Sequence, residues 1–261
     1  MIPVSLTVTQ YILGIAGMLG EIYLITVGLT RRLYVSFFIF YIYLTVVFVR
    51  DAWGFLVIYH GFMARPLYNY YYKIELVVYI LLFGIVFDLY HQVFKPFPAI
   101  HKFFRGLLLL FFVGPLILAA TKFPLGSQWW TMTMMEFGKN IRFAVALLLM
   151  LILSIVGYYK VPLNRNLKGL LFGLAFYNIV AVAISALFAS QGPQLTALWQ
   201  MISVLTYMGA ILIWIFSLST VAAPISAVSS SSEATGYAVL MPEVIDGLCR
   251  INSRLSLWLE K

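Results

Sequence analysis

The residues with chemical potential in this chain are charges set among apolar neighbours. Arg50 and Asp51 interrupt the run "FYIYLTVVFVRDAWGF", Glu75 closes the aromatic stretch "YNYYYKIE", and Glu136, Lys139 and Arg142 punctuate "MEFGKNIRF". A charge inside a membrane-crossing helix costs of order 3 kcal/mol on insertion scales, so each needs a partner or a task. At a helical rise of ~1.5 Å per residue, Arg50, Glu75 and Arg142 fall within one or two turns of a common depth. With both signs present, the simplest arrangement is a salt-bridge cluster joining the second, third and fifth spans. A polar pocket open to the outside, taking a small anionic or zwitterionic ligand, is the functional alternative, and a proton or ion path a third.

On the inner half, Glu21 and Asp88 are the intramembrane acids. His91 follows Asp88 by three residues and lies near the same helical face, as a proton-relaying pair would. Both sit close to the cytoplasmic boundary, where water reaches them, and this makes a relay the less economical reading. Asn178 suits an interhelical hydrogen bond. Other chemistries lack their residues. Of the three histidines, His60 lies outside and His91 and His101 inside; the latter two could approach one another across a turn, but at the membrane edge rather than at the matched interior depth of a buried haem. The seventh span has no lysine for a retinal Schiff base, and no GxSxG, HExxH or P-loop pattern occurs. Cys249 is the single cysteine, so there is no CxxC pair and no intramolecular disulfide. The expectation is no catalytic residue, no metal and no cofactor.

The elements that must position these charges are membrane helices. Of 261 residues, 63% are apolar and 10% charged, against roughly 25% charged in a soluble domain. The apolar residues fall in runs of about 20, the length that crosses a ~30 Å hydrocarbon core as helix. Seven spans are predicted, near Val8–Leu29, Tyr34–Tyr59, Tyr70–Tyr90, Phe104–Ala120, Phe137–Tyr158, Gly169–Ala189 and Leu195–Thr220. The runs do not alternate apolar with polar, which excludes a β-barrel reading. Pro115 should kink the fourth span or loosen its backbone ladder. "MIPVSLTVTQ" has neither a basic n-region nor a small-residue cleavage pattern, so the first run reads as a retained span.

The net charge of +8 comes from basic residues scattered between spans, which argues against nucleic acid and for topology signals and anionic headgroups. Arg31, Arg32, Lys95, Lys102, Arg105, Lys160, Arg165 and Lys168 follow spans 1, 3 and 5. Arg65, Lys73, Lys122, Lys139 and Arg142 lie on the other side. The bias predicts the N-terminus outside and the C-terminus in the cytoplasm.

Beyond the bundle (residues 1–220), a Ser/Ala-rich stretch (221–240) reads as a flexible linker. In residues 241–261, Val244, Leu248, Ile251, Leu255 and Trp258 recur at helical spacing and form one stripe. Pro242, Glu243 and Asp246 suit the start of that helix, and Arg250, Arg254 and Lys261 its end. A short cytoplasmic amphipathic helix is predicted, lying on the inner leaflet, packed under the bundle, or docking a protein partner or second copy.

The segments "YNYYYKIE" (68–75), "DLYHQVFKPF" (88–97), "MEFGKNIRF" (135–143) and "KGLLFGLAF" (168–176) resemble those of a group of uncharacterised bacterial seven-helix membrane proteins, found notably in Acidobacteria. The resemblance covers roughly residues 8–220. It implies the seven-helix fold in a bacterial inner membrane and marks Glu75, Glu136 and Arg142 as a shared polar core, and it implies no activity. The functional expectation is therefore an all-α, seven-span membrane protein without enzymatic chemistry, acting as a sensor-like or scaffold module or as an accessory subunit. The alternative is a small-solute transporter or channel, with Arg50, Glu75, Glu136 and Arg142 as its outer vestibule and Glu21 with Asp88 as its inner exit.

Overall fold

The computed structural model describes residues 8–59, 65–94, 98–122, 129–158, 163–191 and 196–219. The linker and the amphipathic stripe at Val244, Leu248, Ile251, Leu255 and Trp258 lie outside the described residues. Seven α-helices carry the fold: α1 (Val8–Thr30), α2 (Phe38–Tyr59), α3 (Arg65–Phe94), α4 (Pro98–Lys122), α5 (Trp129–Tyr158), α6 (Arg165–Gln191) and α7 (Thr196–Leu218). Each contains an apolar segment of 18 to 27 residues long enough to cross a bilayer. Helix is what such a segment must form, because in hydrocarbon every backbone N–H and C=O has to be satisfied within the chain. Large apolar side chains such as Leu19, Leu110, Leu118 and Phe216 point outward and are exposed, as lipid contact allows and water does not. The chain is a polytopic helical membrane protein.

Several boundaries differ from the sequence reading: α3, α4 and α6 run further at both ends than the predicted spans, and α2 and α5 start at other residues. Tyr34, assigned above to span 2, lies in a 3-10 turn, Leu33–Val35, and α2 begins at Phe38. The chain reverses at Arg32, a non-glycine residue in the left-handed region (φ 54°, ψ 25°). Helix α5 starts at Trp129 rather than Phe137, so Trp129 and Trp130 belong to the helix and not to the connection before it. Both α3 and α5 have 30 residues, more than the ~20 that span the hydrocarbon. The surplus turns keep their backbone groups paired through the interfacial layer. Helix α4 opens with Pro98 at its first position, where the missing N–H costs nothing. It remains helical on both sides of the buried Pro115.

Six of the helices close a ring. Helix α1 packs on α2 and α7, α2 on α3, α3 on α5, α5 on α6, and α6 on α7. Helix α4 stands outside this ring against α5 and α3. Only 11% of its membrane segment is buried, against 50% of that in α3, so α4 is a lipid-facing buttress.

The closest seam is between α6 and α7. A Cβ on Gly173 would lie 2.3 Å from Nε1 of Trp214, and one on Gly169 would lie 2.0 Å from Cβ of Ser217. The Gly169–Leu–Leu–Phe–Gly173 spacing thus provides the small-residue face that lets two membrane helices approach. Trp214, fully buried, meets Phe40 of α2 edge-on at 5.1 Å. At the same end of the bundle, Arg31 donates to the carbonyl of Ser219 and Arg165 to that of Phe216 at 3.5 Å. Cations on the last carbonyls of α7 match the negative end of its dipole.

Candidate functional site

The polar interior of the ring centres on Glu75. This carboxylate is buried in α3, near the end of its span closer to the N-terminal side. Its Oε2 accepts from Nη1 of Arg50 in α2 at 3.0 Å and its Oε1 from Nη2 of Arg142 in α5 at 3.2 Å. Arg50 also donates through Nε to Asp51 at 2.7 Å. Tyr79, one helical turn beyond Glu75, hydrogen-bonds the same carboxylate, and its ring lies 5.6 Å below the Arg142 guanidinium. Space for the Tyr79 hydroxyl exists because residue 138 of α5 is glycine: a Cβ there would sit 2.4 Å from it. Two arginines face two acids, so the cluster is neutral. Arginine suits this place because its fork keeps its charge and serves two acceptors at once.

A second acid lies deeper. Glu21 of α1, at the middle of the span Tyr11–Thr30, has no exposed surface. Its Oε1 accepts a hydrogen bond from the hydroxyl of Tyr207 in α7, and its Oε2 has no partner among the described residues. Tyr207 stacks edge-on against Tyr177 of α6 at 5.5 Å. Tyr43 of α2, buried, lies within electrostatic reach of Tyr177, Arg50, Arg142 and Glu75. Polar groups from all six ring helices therefore share one interior zone, to which α4 contributes none of those just named.

The remaining candidates fall elsewhere. Glu136 is separate from Glu75: it pairs with Lys122 at the end of α4 (2.5 Å) and with Lys139 (3.9 Å). Those lysine side chains are 56% and 69% exposed, so this is a surface clasp between α4 and α5. Asp88 accepts from Gln92, one turn on, at 3.1 Å, and Gln92 also reaches the Ser36 carbonyl. His91 is exposed in the last turn of α3. Glu21 and Asp88, grouped above as one inner exit, make separate contacts. Glu21 is bonded across to α7 and acts electrostatically with Arg50 and Asp51, because helical phase turns it into the ring. Asn178 is fully buried and donates to the Leu174 carbonyl of its own helix at 2.8 Å, an intrahelical bond where an interhelical one is expected.

Sequence reasoning did not single out Tyr207, Tyr79, Tyr43 or Tyr177. Their signal was a tyrosine hydroxyl well inside an apolar run, a polar tip that needs a partner when buried; the aromatic abundance of the chain hides it. Among the described residues no group of three or more His, Cys, Asp or Glu is arranged to hold a metal. No family model, curated protein or solved structure matches the chain.

Proposed function

We propose that the chain is a non-enzymatic membrane module, sensor-like or scaffolding, or an accessory subunit of a membrane complex. The observation that carries this reading is the saturation of Glu75: both carboxylate oxygens are held by arginines from two other helices. This cluster spends its charges joining α2, α3 and α5, as a structural tie does. The distribution of basic residues over the connections supports an orientation with the N-terminus outside and the C-terminus cytoplasmic, and the bacterial inner membrane follows from the sequence resemblance alone. The patterned stripe in residues 241–261 supplies the docking element for a protein partner. Deleting residues 241–261 should leave the thermal stability of the detergent-solubilised bundle unchanged and release a protein that co-purifies with the full chain. A truncated chain that keeps every partner would sink the docking role.

One observation favours the second reading, a small-solute transporter or channel. The side chains of Asp51 and Arg142 keep 33% and 31% of their surface exposed, so the cluster has an open flank. On that reading Glu75→Gln abolishes solute flux into vesicles while the protein stays folded. Unchanged flux, or none in the parent chain, returns the cluster to its structural role.

A further inference from the structure

Among the described residues, the cluster of Arg50, Arg142, Asp51 and Glu75 is balanced, and Glu21 adds one acid to it. No further cation contacts Glu21 among the described residues. The groups facing it are Tyr207 from α7, whose hydroxyl it accepts, and Arg50 and Asp51 from α2. Tyr43 of α2 interacts electrostatically with Tyr207, and the short turn helix that also packs on α1 carries Tyr34, which is exposed. Arg50 is already engaged by two carboxylates. An ionised Glu21 would thus be a carboxylate at mid-membrane with one hydrogen bond and one bare oxygen. A buried charge without pairing is far more costly than a buried neutral polar group.

We propose that Glu21 is a proton-binding site at the centre of the bilayer, its carboxyl neutral in the closed bundle and its proton carried on the oxygen that Tyr207 does not occupy. The step is the addition of one proton to a carboxylate, with no other bond made or broken. A proton fits where a metal ion does not. A metal ion asks for several oxygen ligands, and Glu21 offers one unpartnered oxygen in a tight seam. A Cβ on Gly20, the residue beside it, would already lie 2.7 Å from Ile211 of α7. The inference is independent of whether the chain serves as a subunit or a transporter.

Infrared spectroscopy of the full chain in phosphatidylcholine vesicles tests it, with glutamate carbon-13-labelled at the side-chain carboxyl. At neutral pH the parent chain should show the carbonyl band of a protonated glutamic acid, which converts to carboxylate as the pH is raised. Glu21→Gln should remove that band completely. Tyr207→Phe should keep it and move it to higher wavenumber, since the carbonyl loses its donor. If Glu21→Gln does not reach the membrane, the Tyr207→Phe shift decides alone, and an unmoved band overturns the assignment. A spectrum showing only carboxylate at neutral pH overturns it, as does a band that persists in Glu21→Gln. Conversion of acid to carboxylate by added sodium at constant pH would make the site a metal-cation site and overturn it likewise.

Discussion

Glu75 and Glu21 are both buried carboxylates in the same ring of helices, and the protein treats them in opposite ways. Glu75 receives two arginines and a tyrosine. Glu21 receives one tyrosine and keeps an oxygen unpaired. The difference follows from which helices face each acid. Helices α2 and α5 bring Arg50 and Arg142 to α3, whereas α7, with neither lysine nor arginine, meets Glu21 of α1 with the Tyr207 hydroxyl, and Arg50 of the other neighbour α2 is already engaged by Asp51 and Glu75. Burial alone therefore does not define a site. What distinguishes the two positions is whether the surrounding helices supply countercharge.

The largest effect should come from breaking the saturated side. Arg50→Met removes the cation shared by Asp51 and Glu75 and leaves excess negative charge in the ring. Losing one partner of a buried pair costs roughly 3–5 kcal/mol, so thermal denaturation of the detergent-solubilised chain should show a strong destabilisation or little folded protein. Combining Arg50→Met with Arg142→Met should give less than the sum of the two single losses, because both act on the same carboxylate. Strict additivity would mean that Glu75 does not couple the two arginines.

A smaller loss is expected on the other side. Tyr207→Phe removes one hydrogen bond to Glu21 without stranding a formal charge, if that acid is neutral, and should cost about 1 kcal/mol. A loss as large as that of Arg50→Met would mean that Glu21 is ionised and that Tyr207 is its principal stabiliser. That outcome would erase the contrast between the two acids.

The seven crossings were legible because length and apolarity suffice for them: a run of about 20 apolar residues in lipid has only helix available. Depth was legible too, since residues can be counted along a helix, and counting brings Arg50, Glu75 and Arg142 to a similar level. Azimuth and neighbourhood were not. Nothing in the runs around Glu21 and Tyr207, which lie 186 positions apart, indicates that α1 seals the ring against α7. Nor does local sequence show that α4 is left outside it, and this is why Glu136 could be grouped with Glu75 although it belongs to the α4–α5 clasp. The Gly169/Gly173 pair was a readable cue to a close helix seam, yet it does not name α7 as the partner.

That clasp sets the lower bound of the comparison. Lys122 and Glu136 form an ion pair at 2.5 Å, shorter than either arginine contact of Glu75, so distance alone would rank it beside the Glu75 cluster. Its lysine side chain is 56% exposed, however, and an accessible charge recovers its solvation when its partner is removed. Exposed pairs contribute roughly 0.2–1 kcal/mol. Lys122→Met should therefore shift the thermal midpoint far less than Arg50→Met, and added salt should shrink what difference remains, since screening acts on exposed charges first. Equal effects from the two substitutions would show that α4 is as integral to the bundle as the ring helices, and that its lipid-facing position does not reflect a peripheral role in stability.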